Sequence, residues 1–311
     1  MWYSMLYKRS DASIKETGGA VARYLRSKDV EVHALARDPT SKKAHDLESI
    51  GVKLTPGDYD DKDSLKIAMA GCTAIFLVLM PDFTDLTSEI RWTKNIYDAG
   101  KGAGVKHVIF SSGFGAGNPD NVENLEPGSF VDTIMKNKHA IEVETRDAGF
   151  EYWTILRPGY FMANYLEPFV RMMYPGFTQE GVLTSALRRT TILPMVDTVT
   201  IGKFGGEAFL NPERFHEKEI NYADEWLDLE TIVAKLSKAT GRDLKVNSLS
   251  DEDVNTQKGV NPFITGQLVT RNMAKLATLE EAKKWGIPLS TFDEFLGREK
   301  EAVHETFHKS G

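Results

Sequence analysis

The sequence predicts an α/β protein built on a doubly wound parallel sheet. Three observations carry this. Up to about residue 160, short apolar runs alternate with helix-patterned stretches through short connections, the signature of β-α-β units. One of these runs, Ala74 to Leu79, is almost continuously apolar, as a strand must be when helices cover both its faces. Glycines follow several helical stretches (Gly51, Gly71, Gly104), where a left-handed C-terminal cap belongs.

Taken in order, Val30 to Ala36 reads as a strand, Ala44 to Ile50 as a helix and Val52 to Thr55 as a short strand. Asp61 to Ala70 is a helix, Ala74 to Leu79 a strand, and Leu86 to Ala103 a longer helix. Val105 to Phe110 is the next strand, followed by Ser111, Ser112 and a Gly/Asn/Pro-rich loop from Gly113 to Gly128. Phe130 to Ala148 is a helix and Tyr152 to Leu156 a strand. Ligands of such sheets bind beyond the carboxyl ends of the strands. The crevice is therefore expected after Ala36, Thr55, Leu79, Phe110 and Leu156.

Beyond Arg157 the pattern is irregular. Asp197 suits the N-cap of a helix running to Leu210, and Glu219 to Ala223 a strand. Leu229 to Thr240 is an amphipathic helix ended by Gly241. Thr278-Leu279-Glu280-Glu281 is a capping box, and Ser290 to Phe307 reads as one last helix. This half is expected to form a smaller α/β lobe over the crevice. The chain then divides into residues 1–160 and 161–311, with some later segments returning to the main sheet.

Composition narrows the function classes. The chain has 311 residues, 41% of them hydrophobic, and a formal net charge of -7. Such a surface repels phosphate backbones, and Lys42-Lys43, Arg188-Arg189 and Lys283-Lys284 are only pairs, so nucleic-acid binding is not expected. The lone Cys72 suits a buried strand position in a reducing compartment. No apolar run reaches membrane-spanning length, and Met1 to Ser10 has no signal-peptide core. The expectation is a cytoplasmic protein that does not engage membranes. No HExxH, CxxC or G-x-S-x-G pattern is present, so no metal is expected.

The residues around the first helix are more specific. Thr17-Gly18-Gly19-Ala20-Val21-Ala22 precedes Val32-His33-Ala34-Leu35-Ala36-Arg37-Asp38-Pro39, then Gly51-Val52 and Gly57-Asp58-Tyr59-Asp60-Asp61. Gly104-Val105-Lys106-His107-Val108-Ile109-Phe110-Ser111-Ser112 continues the series, as does Leu156-Arg157-Pro158-Gly159-Tyr160-Phe161-Met162-Ala163-Asn164. This ordered series, from about Thr17 to Gly241, resembles the NmrA-like family of atypical short-chain dehydrogenases/reductases. The resemblance implies a Rossmann-type domain that binds NADP.

Against that family, the glycine-rich turn is altered. Its pattern is G-x-x-G-x-x-G, and counting back from Gly18 finds Lys15 and Ala12 where glycines belong. A side chain forced into strained backbone there costs ~1–3 kcal/mol, and Lys15 offers partial compensation by pairing with phosphate. Trp2 to Tyr7 stands in for the missing Val/Ile-rich first strand. A divergent loop that binds cofactor weakly or not at all, and an altered start of the chain, both fit.

The resemblance implies roles for further residues. Thr17, Gly18 and Gly19 flank the pyrophosphate turn. Arg37 suits a 2′-phosphate and hence NADP rather than NAD. Asp58, with Tyr59 beside it, resembles the residue next to the adenine. Leu79, Met80 and Pro81 border the ribose and nicotinamide, and Pro158, Gly159, Tyr160 and Phe161 resemble the nicotinamide-side loop. Each has a plainer reading: surface arginine, turn aspartate, core aromatic.

The wider superfamily passes a proton through Tyr-x-x-x-Lys, with a serine after the fifth strand. Here Ser111 and Ser112 follow that strand and Lys138 aligns with the lysine, but Ile134 stands at the tyrosine position. Lys138, Ser112 and Tyr160 are the catalytic candidates, with Tyr165, Asp82 and His139 as other acids or bases. Some NmrA-like proteins, such as the regulator of nitrogen metabolite repression, bind NADP without ordinary turnover; isoflavone-reductase-like relatives keep chemistry with a lysine. Three readings follow. The first is an NADP(H)-binding enzyme acting on a small apolar molecule, by a non-standard reduction or a non-redox step, with Met162, Tyr165, Phe169, Met172, Met173, Tyr174 and Phe177 either lining an apolar pocket or forming plain lobe core. The second is an NADP(H)-sensing regulator with a protein partner, and the third a pseudo-enzyme without nucleotide.

Overall fold

The computed structural model describes residues 2–6, 12–259 and 261–308, with side chains from Thr17 onward apart from Pro262. The first half runs β1 (Trp2–Leu6), α1 (Ala12–Arg26), β2 (Glu31–Ala36), α2 (Lys42–Ser49), β3 (Lys53–Pro56), α3 (Lys62–Met69), β4 (Ala74–Leu77), α4 (Ser88–Gly102), β5 (His107–Ser111), α5 (Phe130–Asp147) and β6 (Tyr152–Pro158). Then come β7 (Tyr160–Phe161), α6 (Phe169–Met173), α7 (Phe177–Glu180), β8 (Val182–Ser185), β9 (Ile192–Val196), α8 (Thr198–Leu210), α9 (Pro212–Phe215), β10 (Lys218–Tyr222), β11 (Glu225–Asp228), α10 (Leu229–Thr240) and β12 (Lys245–Ser248). The chain closes with α11 (Asp251–Gln257), α12 (Pro262–Thr270), α13 (Leu279–Lys283), α14 (Phe292–Arg298) and α15 (Lys300–His308).

Among the described residues the main sheet has seven strands in the order β10-β6-β5-β4-β1-β2-β3. The pairs from β3 across to β6 are parallel. Trp2–Leu6 fills the centre of the sheet, between β4 and β2, as the first strand. The order reverses between β1 and β4, the switch point where such sheets bind ligands. Register fixes a common edge: Leu6 lies opposite both Leu35 and Leu77, Leu77 opposite Phe110, and Phe110 opposite Ile155. Residues just past Ala36, Pro56, Leu77 and Ser111 therefore gather at one end.

Two compact units result, each discontinuous in sequence. The first holds Met1–Gly117, Lys136–Arg157 and Ile201–Ile220; the second holds Asn118–Met135, Pro158–Thr200 and Asn221–Gly311. In the first, Leu65, Ile75, Trp92, Ile96, Val108 and Ile141 pack into a core of buried side chains. Burial of each such side chain contributes about 1.5–3 kcal/mol. Helix α8 packs closely on α1 here: a Cβ on Gly202 would lie 2.7 Å from the Ala20 carbonyl oxygen, so no larger residue fits without a shift. Cys72 is buried, with its Sγ 3.5 Å from the Ala68 carbonyl oxygen.

The second unit carries a three-stranded sheet, β11-β9-β7, and a two-stranded one, β12-β8. The expected caps hold: Asp197 precedes α8 and accepts the Val199 amide at 3.1 Å, and Thr278 with Glu281 forms a capping box on α13. Asp61 caps α3 and Asp228 caps α10. Gly51, Gly71, Gly104 and Gly241 all take positive φ. The expected single helix from Ser290 to Phe307 is instead two. Thr291 and Glu294 form a second capping box that starts α14, and α14 ends at Arg298 before α15 begins. Gly297, a weak helix former, sits in that last turn.

Candidate functional site

Helix α1 begins at Ala12, earlier than the glycine spacing suggests. In an α-helix only the first four N–H groups lack an intrahelical partner. The unbonded amides are thus those at the very start of the first turn. Gly18 and Gly19 lie in the second turn, and Thr17 is fully buried. Their placement on the pyrophosphate turn is corrected accordingly, because the helix already uses their N–H groups. Residues 7–11, which join β1 to this helix, and the Lys15 side chain lie outside the described residues.

At the ends of β2 and β3, Arg37 and Asp58 come together. The Arg37 guanidinium forms a short ion pair with Asp58, and Asp58 also accepts the Asp60 amide at 3.0 Å. Beside them a cavity of about 100 Å³ is lined by Arg37, Asp38, Ser41 and Lys43 over apolar Ala34 and Leu47. Ser41 is the N-cap of α2, its Oγ accepting the Ala44 amide at 3.3 Å. A guanidinium, a lysine and a helix N-terminus at one strand end make an anion-accepting corner. Tyr59 is corrected: it is 1% exposed, its ring lies 5.6 Å from that of Trp92, and it belongs to the core.

At the ends of β4 and β5 the arrangement centres on Lys138. Its Nζ donates to the Leu79 carbonyl at 2.7 Å and to Glu89 Oε1 at 2.6 Å, and lies 5.7 Å from the centre of the Phe110 ring. Met80 and Pro81 follow Leu79, half-buried. Ser111 ends β5 and is buried; Ser112 donates its amide to the Leu156 carbonyl at 2.8 Å. The Ser112 Oγ is enclosed with no hydrogen-bond partner. One turn beyond Lys138, Glu142 accepts from Arg157 on β6 at 2.8 and 2.5 Å, which fixes the rotation of α5 and so the aim of Lys138. His139 points elsewhere, its Nδ1 2.9 Å from the Ala116 carbonyl oxygen. Asp82 is taken up by a local turn with Thr84.

The loop after β6 belongs to the second unit and serves its packing. A Cβ on Gly159 would fall 2.3 Å from the Pro194 carbonyl oxygen, so only glycine fits. Pro158 is buried and Phe161 half-buried. The Tyr160 hydroxyl lies 2.6 Å from that of Tyr174. Burial pushes the pKa of Tyr160, and of neighbouring Tyr165, well above the usual tyrosine value. Such a hydroxyl is unsuited to passing protons at neutral pH. Met162, Tyr165, Tyr174 and Phe177 are likewise lobe core, not pocket lining.

The comparisons with known proteins agree with this frame. A model of the NmrA-like family matches residues 16–296. The chain belongs to the NmrA-like family. An NmrA-like oxidoreductase of Cladobotryum sp, FrzB, is 30% identical over 245 residues, covering 72% of this chain and 70% of its own. The NAD(P)H azoreductase of Xenophilus azovorans is 26% identical over 237 residues, covering 76% and 74%. Among solved structures, the NADPH-dependent quinone oxidoreductase of Escherichia coli superposes with a TM-score of 0.70 at 20% identity, over 96% of this chain and 99% of that one. The Citrobacter sp. triphenylmethane reductase gives 0.72 at 20%, over 97% and 100%. The transcriptional regulator NmrA, in complex with NAD, gives 0.73 at 18%, over 97% of each chain. At these identities the superpositions establish the fold of this NmrA-like protein.

Two features of the site were not read from the sequence. Glu89, in the first turn of α4, looks like an ordinary exposed acid at a helix start yet is fully buried. Ser41 and Lys43, at the start of α2, line the same cavity as Arg37. Among the described residues no cluster suited to a metal ion is present, and no helix is long and apolar enough to cross a membrane.

Proposed function

We propose that this NmrA-like protein binds NADP(H) and reduces small, conjugated, electron-poor organic molecules. The observation that carries the reading is the pairing of a kept Lys138 with Ile134 one turn earlier on α5. Reduction of a simple carbonyl generates an alkoxide that needs an acid in the transition state. Ile134 has no proton to give. A quinone, or a cationic dye, instead accepts a hydride to give a stabilised phenolate or a neutral product, and solvent completes any protonation. The printed names of an azoreductase relative and of quinone and dye reductase neighbours support this substrate class.

The residues present fit the dinucleotide. Arg37, with Ser41 and Lys43, takes the 2′-phosphate, which favours NADP over NAD. The first turn of α1, next after β1 in the chain, supplies the amides for a pyrophosphate. Lys138 holds the nicotinamide ribose. The bound dinucleotide supplies the hydride. Cytoplasmic location belongs to the same reading.

Calorimetric titration with NADPH, NADP⁺, NADH and NAD⁺ tests it. Binding of the phosphorylated pair, with turnover of a quinone or triphenylmethane dye but not of a simple aldehyde, is the expected result. Absence of binding by all four removes the cofactor. Tight NADP(H) binding with no turnover of any acceptor would favour the second reading, a redox-sensing regulator with a protein partner, which the loss of the tyrosine also supports.

A further inference from the structure

We infer that Glu89 is a positioning residue for Lys138, one that holds the lysine's remaining N–H toward the nicotinamide ribose; this rests on the dinucleotide reading above. An ammonium has three donors. Two are fixed on Lys138, by the Leu79 carbonyl at 2.7 Å and by Glu89 Oε1 at 2.6 Å. The Lys138 side chain is 13% exposed while that of Glu89 is 0% exposed, so of the two only the lysine can meet a ligand, and one of its donors is left for it. Glu89 itself is out of reach of solvent and acts through the lysine.

The arrangement is a poor way to gain stability alone. A buried ion pair often contributes no more than two well-packed apolar side chains of like volume. Here one carboxylate oxygen, Oε2, is also enclosed without a partner, as is the Ser88 hydroxyl next to it in sequence. Unmade hydrogen bonds of this kind are costly and call for a reason. The reason lies in the change at Ile134. In the Tyr-x-x-x-Lys arrangement the lysine is shared with a tyrosine hydroxyl. With isoleucine there, a flexible four-carbon stem has lost a neighbour that restrains it. The carboxylate, placed in the first turn of α4 where the helix dipole favours it, restrains the lysine from the opposite helix.

The test compares two ligands. NADPH carries the nicotinamide ribose; 2′,5′-ADP carries only the adenosine end that Arg37 meets. Calorimetry with Glu89→Gln is expected to raise the Kd for NADPH about tenfold, a loss of about 1.4 kcal/mol, and to leave 2′,5′-ADP within about twofold of wild type. Equal weakening of both ligands, or no weakening of either, would overturn the inference. Should Glu89→Gln fail to fold, Glu89→Gln/Lys138→Met, which buries no charge, is set against Lys138→Met. Equal NADPH affinity in those two supports action through the lysine; a further loss in the double variant overturns it. If wild type binds neither ligand, the dinucleotide reading falls and this role falls with it. If wild type binds both and Glu89→Gln matches it on NADPH, only the role of Glu89 is lost.

Discussion

Two ion pairs stand at the edge of the main sheet, and they differ in kind. Arg37–Asp58, past β2 and β3, is the more open of the two, its side chains 28% and 39% exposed although the Arg37 Nε is itself enclosed. Lys138–Glu89, between α5 and α4, is closed, at 13% and 0%. An exposed pair has a small net worth and is easily broken, so Arg37 can leave Asp58 for a phosphate at little cost. A buried pair is hard to replace once formed, because removing one partner strands the other charge. The first is built for exchange and the second for fixity. The adenosine end of the proposed site is thus adjustable, and the hydride end is rigid.

The largest effect that tests this contrast is Lys138→Met. It leaves Glu89 buried without a cation and is expected to cost about 3–5 kcal/mol of stability, read by urea unfolding. Arg37→Ala should leave the unfolding curve within about 0.5 kcal/mol of wild type. Matching losses from the two variants would break the comparison.

A buried carboxylate without a cation sharpens it. Asp224 accepts from the Asp197 and Ser290 amides at 2.7 and 2.8 Å and from the Thr200 hydroxyl at 2.7 Å. Burial still raises its pKa from 3.8 to about 6. The folded state therefore holds this proton more tightly than the unfolded chain. Its contribution is fully present below pH 3.8 and is lost as the pH rises through about 6, by about 3 kcal/mol. Unfolding free energies of wild type and Asp224→Asn across that window should diverge with this sign; parallel curves would refute it.

Smaller effects concern binding. Arg37→Ala should weaken NADPH about 10- to 100-fold, the worth of one or two charge-assisted hydrogen bonds, and NADH far less. Asp58→Asn removes a competitor for Arg37 and is expected to tighten NADPH by a factor of about two to five. Tighter NADH binding in that variant instead would point to Asp58 acting on the adenosine directly.

Much of the fold was legible because its signals are local. Asp61, Asp197 and Thr278 announced helix starts, and Gly51, Gly71, Gly104 and Gly241 announced helix ends, since caps depend on a few adjacent residues. The break between α14 and α15 was missed although Thr291 and Glu294 spell a capping box, because the apolar spacing runs on through Gly297. At the site, Arg37, Asp58 and Lys138 were singled out from order along the chain. The burial of Tyr59 and Tyr160 was not legible for one reason: an aromatic residue beside a strand end reads the same whether its ring turns inward or outward.

The sequence by itself determined the alternation of strands and helices and the family. These depend on residue identity and short-range spacing. Only the tertiary structure decided that α1 starts before Gly18 and Gly19, that Ser41 and Lys43 join Arg37, and above all that Glu89 meets Lys138 across 49 positions of chain. Burial and charge pairing are properties of what surrounds a side chain. A glutamate in a first helical turn carries no mark of whether water or a lysine will face it.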